Sequence, residues 1–139
     1  MSKKVLILCT GNSCRSIIAE ALINSQLKGV EAYSSGVSPS GKVNPNAQKV
    51  LKANGEWRED YHSKDLEELK ALDFDLVVTV CDNAKESCPI FPSQSKKIHV
   101  GFEDPDGKEY EAFELTYQEI KETLLPAVKN AFKERVMEC

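Results

Sequence analysis

Cys9-Thr10-Gly11-Asn12-Ser13-Cys14-Arg15-Ser16 stands between Val5-Leu6-Ile7-Leu8 and Ile17-Ile18-Ala19-Glu20-Ala21-Leu22-Ile23. The first flank is a short continuous apolar run, the pattern of a buried strand. The second carries apolar residues at helical spacing. A thiol, five intervening residues and an arginine therefore form the turn from a strand into a helix. Such a turn can hold a tetrahedral oxyanion. Its N–H groups and those of the first helical turn converge, and the helix dipole adds positive potential. Arg15 adds a planar fork that matches two oxygens. The same field favours the thiolate of Cys9 and makes it a nucleophile. The blander reading is a buried cysteine at a strand end beside a solvated arginine. The surrounding Gly11, Asn12, Ser16, strand and helix favour the oxyanion reading.

Working outward, the chain alternates strand and helix patterns. Residues 5–8 are the first strand and 15–27 the first helix. Residues 31–34 are a short second strand that runs into Ser35-Gly36. A polar turn with Pro39, Gly41 and Pro45 leads into a helix over 46–54, closed by Gly55. Ser63 is placed to cap a helix through about residue 72, with Glu67 supporting its first turn. Residues 74–80 are apolar and β-branched, hence a central strand. Residues 98–101 form a fourth strand, and Asp104-Pro105-Asp106-Gly107 a loop. A long amphipathic helix over 111–133 carries Pro126, a candidate kink. Strands separated by helices predict an α/β fold with a four-stranded parallel sheet and helices on both faces. Ligands of such sheets sit beyond the strand carboxyl ends, where Cys9, Cys81 and Asp104 all fall.

The 139 residues are read as one domain, with enough length for an ordinary core. Hydrophobic residues make up 41% and charged residues 29%, which places the chain among globular rather than disordered proteins. A formal charge of -4 gives no reason to expect a nucleic-acid partner. No apolar run reaches membrane-spanning length, and Met1-Ser2-Lys3-Lys4 does not open a signal peptide. The expected setting is cytoplasmic, where the five cysteines stay reduced. Zinc binding is disfavoured, because only His62 and His99 accompany them and no Cys-x-x-Cys pair exists.

Cys81 directly follows Val77-Val78-Thr79-Val80, and Cys88 lies seven residues on, before Pro89. Both could be small core residues. Cys88, however, sits in a polar stretch, and Cys81 ends a strand that should face the Cys9 turn. A redox role is the better reading. If residues 81–88 are helical, their end Cα atoms lie about 10 Å apart. A disulfide needs less than about 7 Å, so pairing would require this segment to melt or bend.

These residues together resemble the thioredoxin-coupled arsenate reductases, built on the low-molecular-weight protein tyrosine phosphatase fold. The matching points are the Cys9–Ser16 stretch, Ala19-Glu20, Tyr33-Ser34 with Gly36, Asn44-Pro45, and His62 through Asp65. They continue with Asp75-Leu76-Val77-Val78-Thr79 before Cys81, Cys88-Pro89, and Gly101-Phe102 through Asp104-Pro105. The resemblance implies that Cys9 attacks arsenate while Thr10, Gly11, Asn12, Ser13, Cys14, Arg15 and Ser16 form the oxyanion loop. Phosphate or sulfate would mimic the substrate there. Ser16 would steady the Cys9 thiolate, and Asp104 would serve as general acid. Cys81 would then attack Cys9 and release arsenite, and Cys88 would attack Cys81, leaving a disulfide for thioredoxin. No cofactor is required. A potassium ion is suggested at Asn12, Glu20, Ser34 and Asp65, although the same oxygens could simply join loop to sheet. The chain is read as a monomer.

Two departures stand out. Ile17-Ile18 replaces a polar residue plus Met, and Ser35 replaces the Ala of Ser-Ala-Gly; neither removes a chemical group. Cys14 is read as lying outside the electron path, Cys139 as a tail thiol, and His99 as structural. The enzymatic rival is a low-molecular-weight tyrosine phosphatase using the same Cys9, Arg15 and Asp104. Such enzymes usually place aromatics right after Asp-Pro, whereas Asp106-Gly107 follows here and Tyr110 is the first aromatic. That favours a small inorganic oxyanion. A sugar-transport phosphocarrier with a phosphorylated cysteine is the remaining rival, opposed by Arg15 and by the Cys81/Cys88 pair.

Overall fold

The computed structural model describes residues 3–9, 14–36, 41–64, 69, 74–80, 96–103, 105 and 107–138. Four strands, β1 (Lys3–Cys9), β2 (Val30–Gly36), β3 (Leu76–Thr79) and β4 (Lys96–His99), form a parallel sheet in the order β2-β1-β3-β4. Three helices accompany them: α1 (Arg15–Gln26), α2 (Pro45–Ala53) and α3 (Tyr110–Glu138). The sheet is the one the alternating pattern predicts.

Successive strand residues face opposite sides of a sheet. Val5 through Cys9 are all buried, and so are Leu76 through Thr79. Both faces of the two central strands are therefore covered, as their unbroken apolar runs require. Every residue of α1 from 15 to 23 is buried, because the helix is packed against β1 and β2 on one side and α3 on the other. A helix enclosed in this way needs no polar face. α3 buries Phe113, Thr116, Tyr117, Ile120, Leu124, Val128 and Ala131, one stripe at helical spacing. It runs on through Pro126, which lies on the exposed face of the helix. There the carbonyl that proline leaves without a donor can meet water.

Element boundaries differ modestly from the pattern. β1 starts at Lys3 because it pairs with Val30 and its amide donates to the Gly29 carbonyl at 2.8 Å. α1 ends at Gln26 because Leu27 has extended geometry, φ −110 and ψ 117. β4 lies two residues earlier than expected. Its lysines carry no apolar signal, yet an edge strand tolerates them. α2 starts at Pro45, with the Asn44 side chain accepting from the Asn46 amide at 2.8 Å. The helix expected from Ser63 and the segment around Cys81 and Cys88 lie mainly outside the described residues. Ser63 itself accepts at Oγ from the Gly41 amide.

The edge of β2 is closed by α1. The Asn24 carboxamide accepts from the Ala32 amide at 2.8 Å and donates to the Ala32 carbonyl at 3.1 Å. These outward-facing groups are thus unavailable to another strand.

Candidate active site at the carboxyl end of the sheet

From β1 the chain crosses to β2 on one side, while β3 lies on the other. This reversal puts the end of β1 at the switch point where open α/β sheets hold their ligands. Cys9 is the last residue of β1, paired in register with Gly36 and 2% exposed. Six residues later, after five intervening ones, Arg15 opens α1. Residues 10–13, which make the turn between them, are outside the described set.

Two features make the start of α1 suited to an anion. Cys14 at the N-cap position makes no side-chain capping bond, and no acidic residue stands in the first turn. The positive end of the helix therefore favours an anion. Arg15 is buried, and its Nη1 donates to the carbonyl oxygen of Phe102 at 3.0 Å. That bond crosses the sheet from the β1 turn to the segment after β4. It fixes the guanidinium plane while the remaining N–H groups keep their charge and fork geometry. Cys9 and Cys14 are both reduced thiols within the core. Ser16 is fully buried beside them.

Glu20 lies further along α1, 4% exposed, and accepts at Oε1 from Ser34 Oγ at 2.6 Å. Burial drives its carboxyl pKa up to about 7, against the opposing pull of the Lys64 ammonium and the Ser34 hydroxyl. Of the four residues in the potassium expectation, Glu20 and Ser34 are thus hydrogen-bonded to each other, and Asn12 and Asp65 lie outside the described residues. Lys64 brings a cation of the chain's own to the same region. It is buried, its Nζ donates to the His62 carbonyl at 3.0 Å, and its carbonyl accepts from the Gly36 amide at 2.8 Å. A cavity of about 360 Å³ opens alongside, lined by Glu20, Tyr33, Arg58, Tyr61, His62 and Lys64 among others. No metal-ligating cluster of three or more His, Cys, Asp or Glu side chains occurs among the described residues.

The structure therefore brings together Cys9, Cys14, Arg15 and Ser16, with Glu20 and Ser34 paired behind them. Thr10, Gly11, Asn12, Ser13, Asp65, Cys81, Cys88 and Asp104 lie outside the described residues. β3 ends at Thr79 and Val80 is buried, so the chain leads into Cys81 from the central strand next to β1. Phe102 and Lys64 were not legible as site residues. Phe102 contributes a backbone carbonyl, which carries no residue-type signal, and Lys64 sits in a charged stretch that reads as solvated surface.

A buried thiol at a sheet switch point, an anion-favouring helix start and a buried arginine are the parts a phosphatase-type oxyanion site would use. The family profile "Low molecular weight phosphotyrosine protein phosphatase" matches residues 4–136, and the chain belongs to that family. Within it, the arsenate reductase of Staphylococcus aureus (strain N315) is 42% identical over 121 residues, 86% of this chain and 91% of that one. The crystal structure of arsenate reductase from Archaeoglobus fulgidus is similar with a TM-score of 0.77 and 31% identity, over 90% of this chain and 98% of that one. The low molecular weight protein tyrosine phosphatase from T. tengcongensis superimposes with a TM-score of 0.81 at 28% identity, over 93% of this chain and 99% of that one.

Proposed function

We propose that this chain, acting as a single domain, reduces arsenate to arsenite through Cys9, Cys81 and Cys88, with a thioredoxin-like dithiol as the final reductant. The observation that carries the oxyanion half is the buried Arg15, held by the Phe102 carbonyl at the start of α1 beside Cys9. The redox half is supported by Cys81 and Cys88 in the sequence and by the arsenate reductase relatives.

The Cys9 thiolate attacks arsenic and forms an S–As bond. An arsenate oxygen departs as water, its proton coming from Asp104. Arg15 and the loop amides hold the other oxygens as charge redistributes. The Cys81 thiolate then attacks Cys9 Sγ. The S–As electron pair stays with arsenic, which falls from As(V) to As(III) and leaves as arsenite, and a Cys9–Cys81 disulfide remains. Cys88 attacks Cys81 Sγ and returns Cys9 to its thiolate. The Cys81–Cys88 disulfide takes two electrons from the external dithiol. If residues 82–88 are helical in the reduced protein, they must loosen for that bond to form, which would carry Cys88 outward. No cofactor enters this sequence. Asn12, Glu20, Ser34 and Asp65 would hold a potassium ion that steadies the loop from behind. The cytoplasm suits an enzyme that depends on reduced thiols.

The test is arsenate-dependent NADPH consumption with thioredoxin and its reductase, together with peptide mapping after one equivalent of arsenate. Cys88→Ser should complete one turnover and stall as Cys9–Cys81. Cys81→Ser should release little arsenite while keeping any phosphatase activity. Repeated turnover by Cys88→Ser would overturn the relay and favour a low-molecular-weight tyrosine phosphatase, the second reading, which the fold alone supports equally.

A further inference from the structure

His99 closes β4, and its ring is bonded to β3 and lies over the turn that follows. Nδ1 and the Thr79 Oγ1 share a hydrogen bond of 2.7 Å, so the imidazole is pinned to the end of β3. On its other side the ring covers Gly101. A Cβ added there would lie 3.1 Å from His99 Nε2 and 3.6 Å from Cε1, and its three nearest neighbours all belong to that ring. The φ of Gly101 is outside the left-handed region, so its backbone is open to other residues. A side chain at Gly101 would therefore press on the ring, which would have to give by a few tenths of an ångström.

The turn that wraps the ring leads directly to the arginine. The Val100 amide donates to the Thr79 carbonyl at 2.9 Å and the Phe102 amide to the Val80 carbonyl at 3.1 Å. The Phe102 carbonyl then accepts from Arg15 at 3.0 Å. Thr79, His99, Gly101 and Phe102 form one connected path from the β3–β4 edge to the guanidinium.

We propose that His99 is a positioning residue for the oxyanion site: its pinned ring sets the 100–102 turn and hence the Phe102 carbonyl that aims Arg15. The proposal rests on the reading of Arg15 as the oxyanion holder, and extends it to residues outside the loop. A Cβ at Gly101 would make the ring give by a few tenths of an ångström, a shift passed through the turn to the guanidinium, and positioning groups are sensitive to such shifts, about 100-fold in rate for about 1 Å. The Thr79 bond to Nδ1, next to Cε1 in the ring, resists movement of the atoms that face Gly101.

The experiment is a cycle of Gly101→Ala, His99→Ala, the double variant, and His99→Asn/Gly101→Ala. Inorganic phosphate affinity by calorimetry is read alongside arsenate KM and kcat, with thermal unfolding as a control. Gly101→Ala should weaken phosphate binding and raise KM by roughly tenfold or more, with a smaller loss in kcat. The double variant should be no worse than His99→Ala, because the clash is gone. His99→Ala should itself weaken phosphate binding severalfold, because the ring that sets the turn is gone. His99→Asn/Gly101→Ala keeps a polar atom near Nδ1 for Thr79 and removes the clash, so it should recover part of the Gly101→Ala loss. Full recovery of wild-type affinity without the ring would overturn the role. If His99→Ala does not fold, the comparison of Gly101→Ala with the Asn rescue carries the same test. Wild-type phosphate affinity in Gly101→Ala, or an equal penalty with and without the ring, would overturn the positioning role. A wild-type protein that binds phosphate but makes no arsenite would overturn the reductase reading and leave this cycle decisive. Absence of phosphate binding in the wild type would overturn the oxyanion reading and this role together.

Discussion

Ser34 Oγ donates to Glu20 Oε1 at 2.6 Å and joins α1 to β2 two residues before Gly36, the register partner of Cys9. The layer behind the nucleophile is thus tied by a carboxyl that is almost wholly buried. Where charge sits in that layer depends on pH.

Burial raises the Glu20 pKa from 4.5 to about 7. A carboxyl with a raised folded-state pKa binds its proton more tightly when folded. Its contribution to stability is then complete below about 4.5 and is lost as pH climbs through about 7. The ceiling on that loss is about 3 kcal/mol. Urea unfolding at pH 5 and pH 8, in potassium-free buffer, should show a fall for the wild type and a much flatter profile for Glu20→Gln. Equal slopes in the two proteins would remove Glu20 as the titrating group.

Glu56 is a second buried carboxylate, at the opposite end of α1. It accepts from Tyr117 Oη at 2.5 Å through Oε1, and from Ser25 Oγ at 2.7 Å and Gln26 Nε2 at 2.8 Å through Oε2. This cluster ties α1 and the segment after α2 to α3, and burial with Glu56 alongside pushes the Tyr117 pKa up. Tyr117→Phe leaves the carboxylate short of one donor and should cost about 1–3 kcal/mol in unfolding free energy. Glu56→Ala should cost more, since three donors lose their acceptor. The folded fraction should keep its turnover number, because the cluster is remote from Cys9. A matching loss of kcat would mean that it acts on the site.

Ser35 carries a buried hydroxyl that has no hydrogen-bond partner among the described residues. An unsatisfied buried hydroxyl is destabilising. Ser35→Ala should therefore raise stability by about 1 kcal/mol, seen as a higher urea midpoint at unchanged slope. A drop in stability would show that the hydroxyl is satisfied in solution.

Cys9→Ser should abolish both arsenate reduction and any hydrolysis of p-nitrophenyl phosphate. Asp104→Ala should lower kcat by about 10²–10⁴-fold with little change in phosphate affinity, as befits a proton donor. Steady-state kinetics beside phosphate titrations separate the two effects. Weakened binding at normal turnover would move Asp104 out of the chemistry.

The sequence by itself determined the order of the described strands and helices and put a thiol, Cys9, at the end of β1. The short apolar run at 5–8 and the β-branched, mostly apolar stretch at 74–80 read as strands covered on both faces. The Asn44-Pro45 and Asn54-Gly55 pairs mark helix ends through local backbone chemistry. The Cys9-to-Arg15 turn is likewise local, so its residues and spacing are readable directly. Only the tertiary structure decided what Arg15 leans on, because the Phe102 carbonyl is a backbone group far along the chain. The same holds for Lys64, which reads as surface until burial beside Glu20 is seen, and for the Glu56 cluster, whose partners come from separate helices. His99 belongs to this second group: its bond to Thr79 exists because β3 and β4 pair in one register, and its cover over Gly101 because the turn folds back on the ring. Local pattern reports propensity and periodicity, which the neighbouring residues set. Buried polar contacts across the sheet depend on which strands become neighbours, and that is settled by packing.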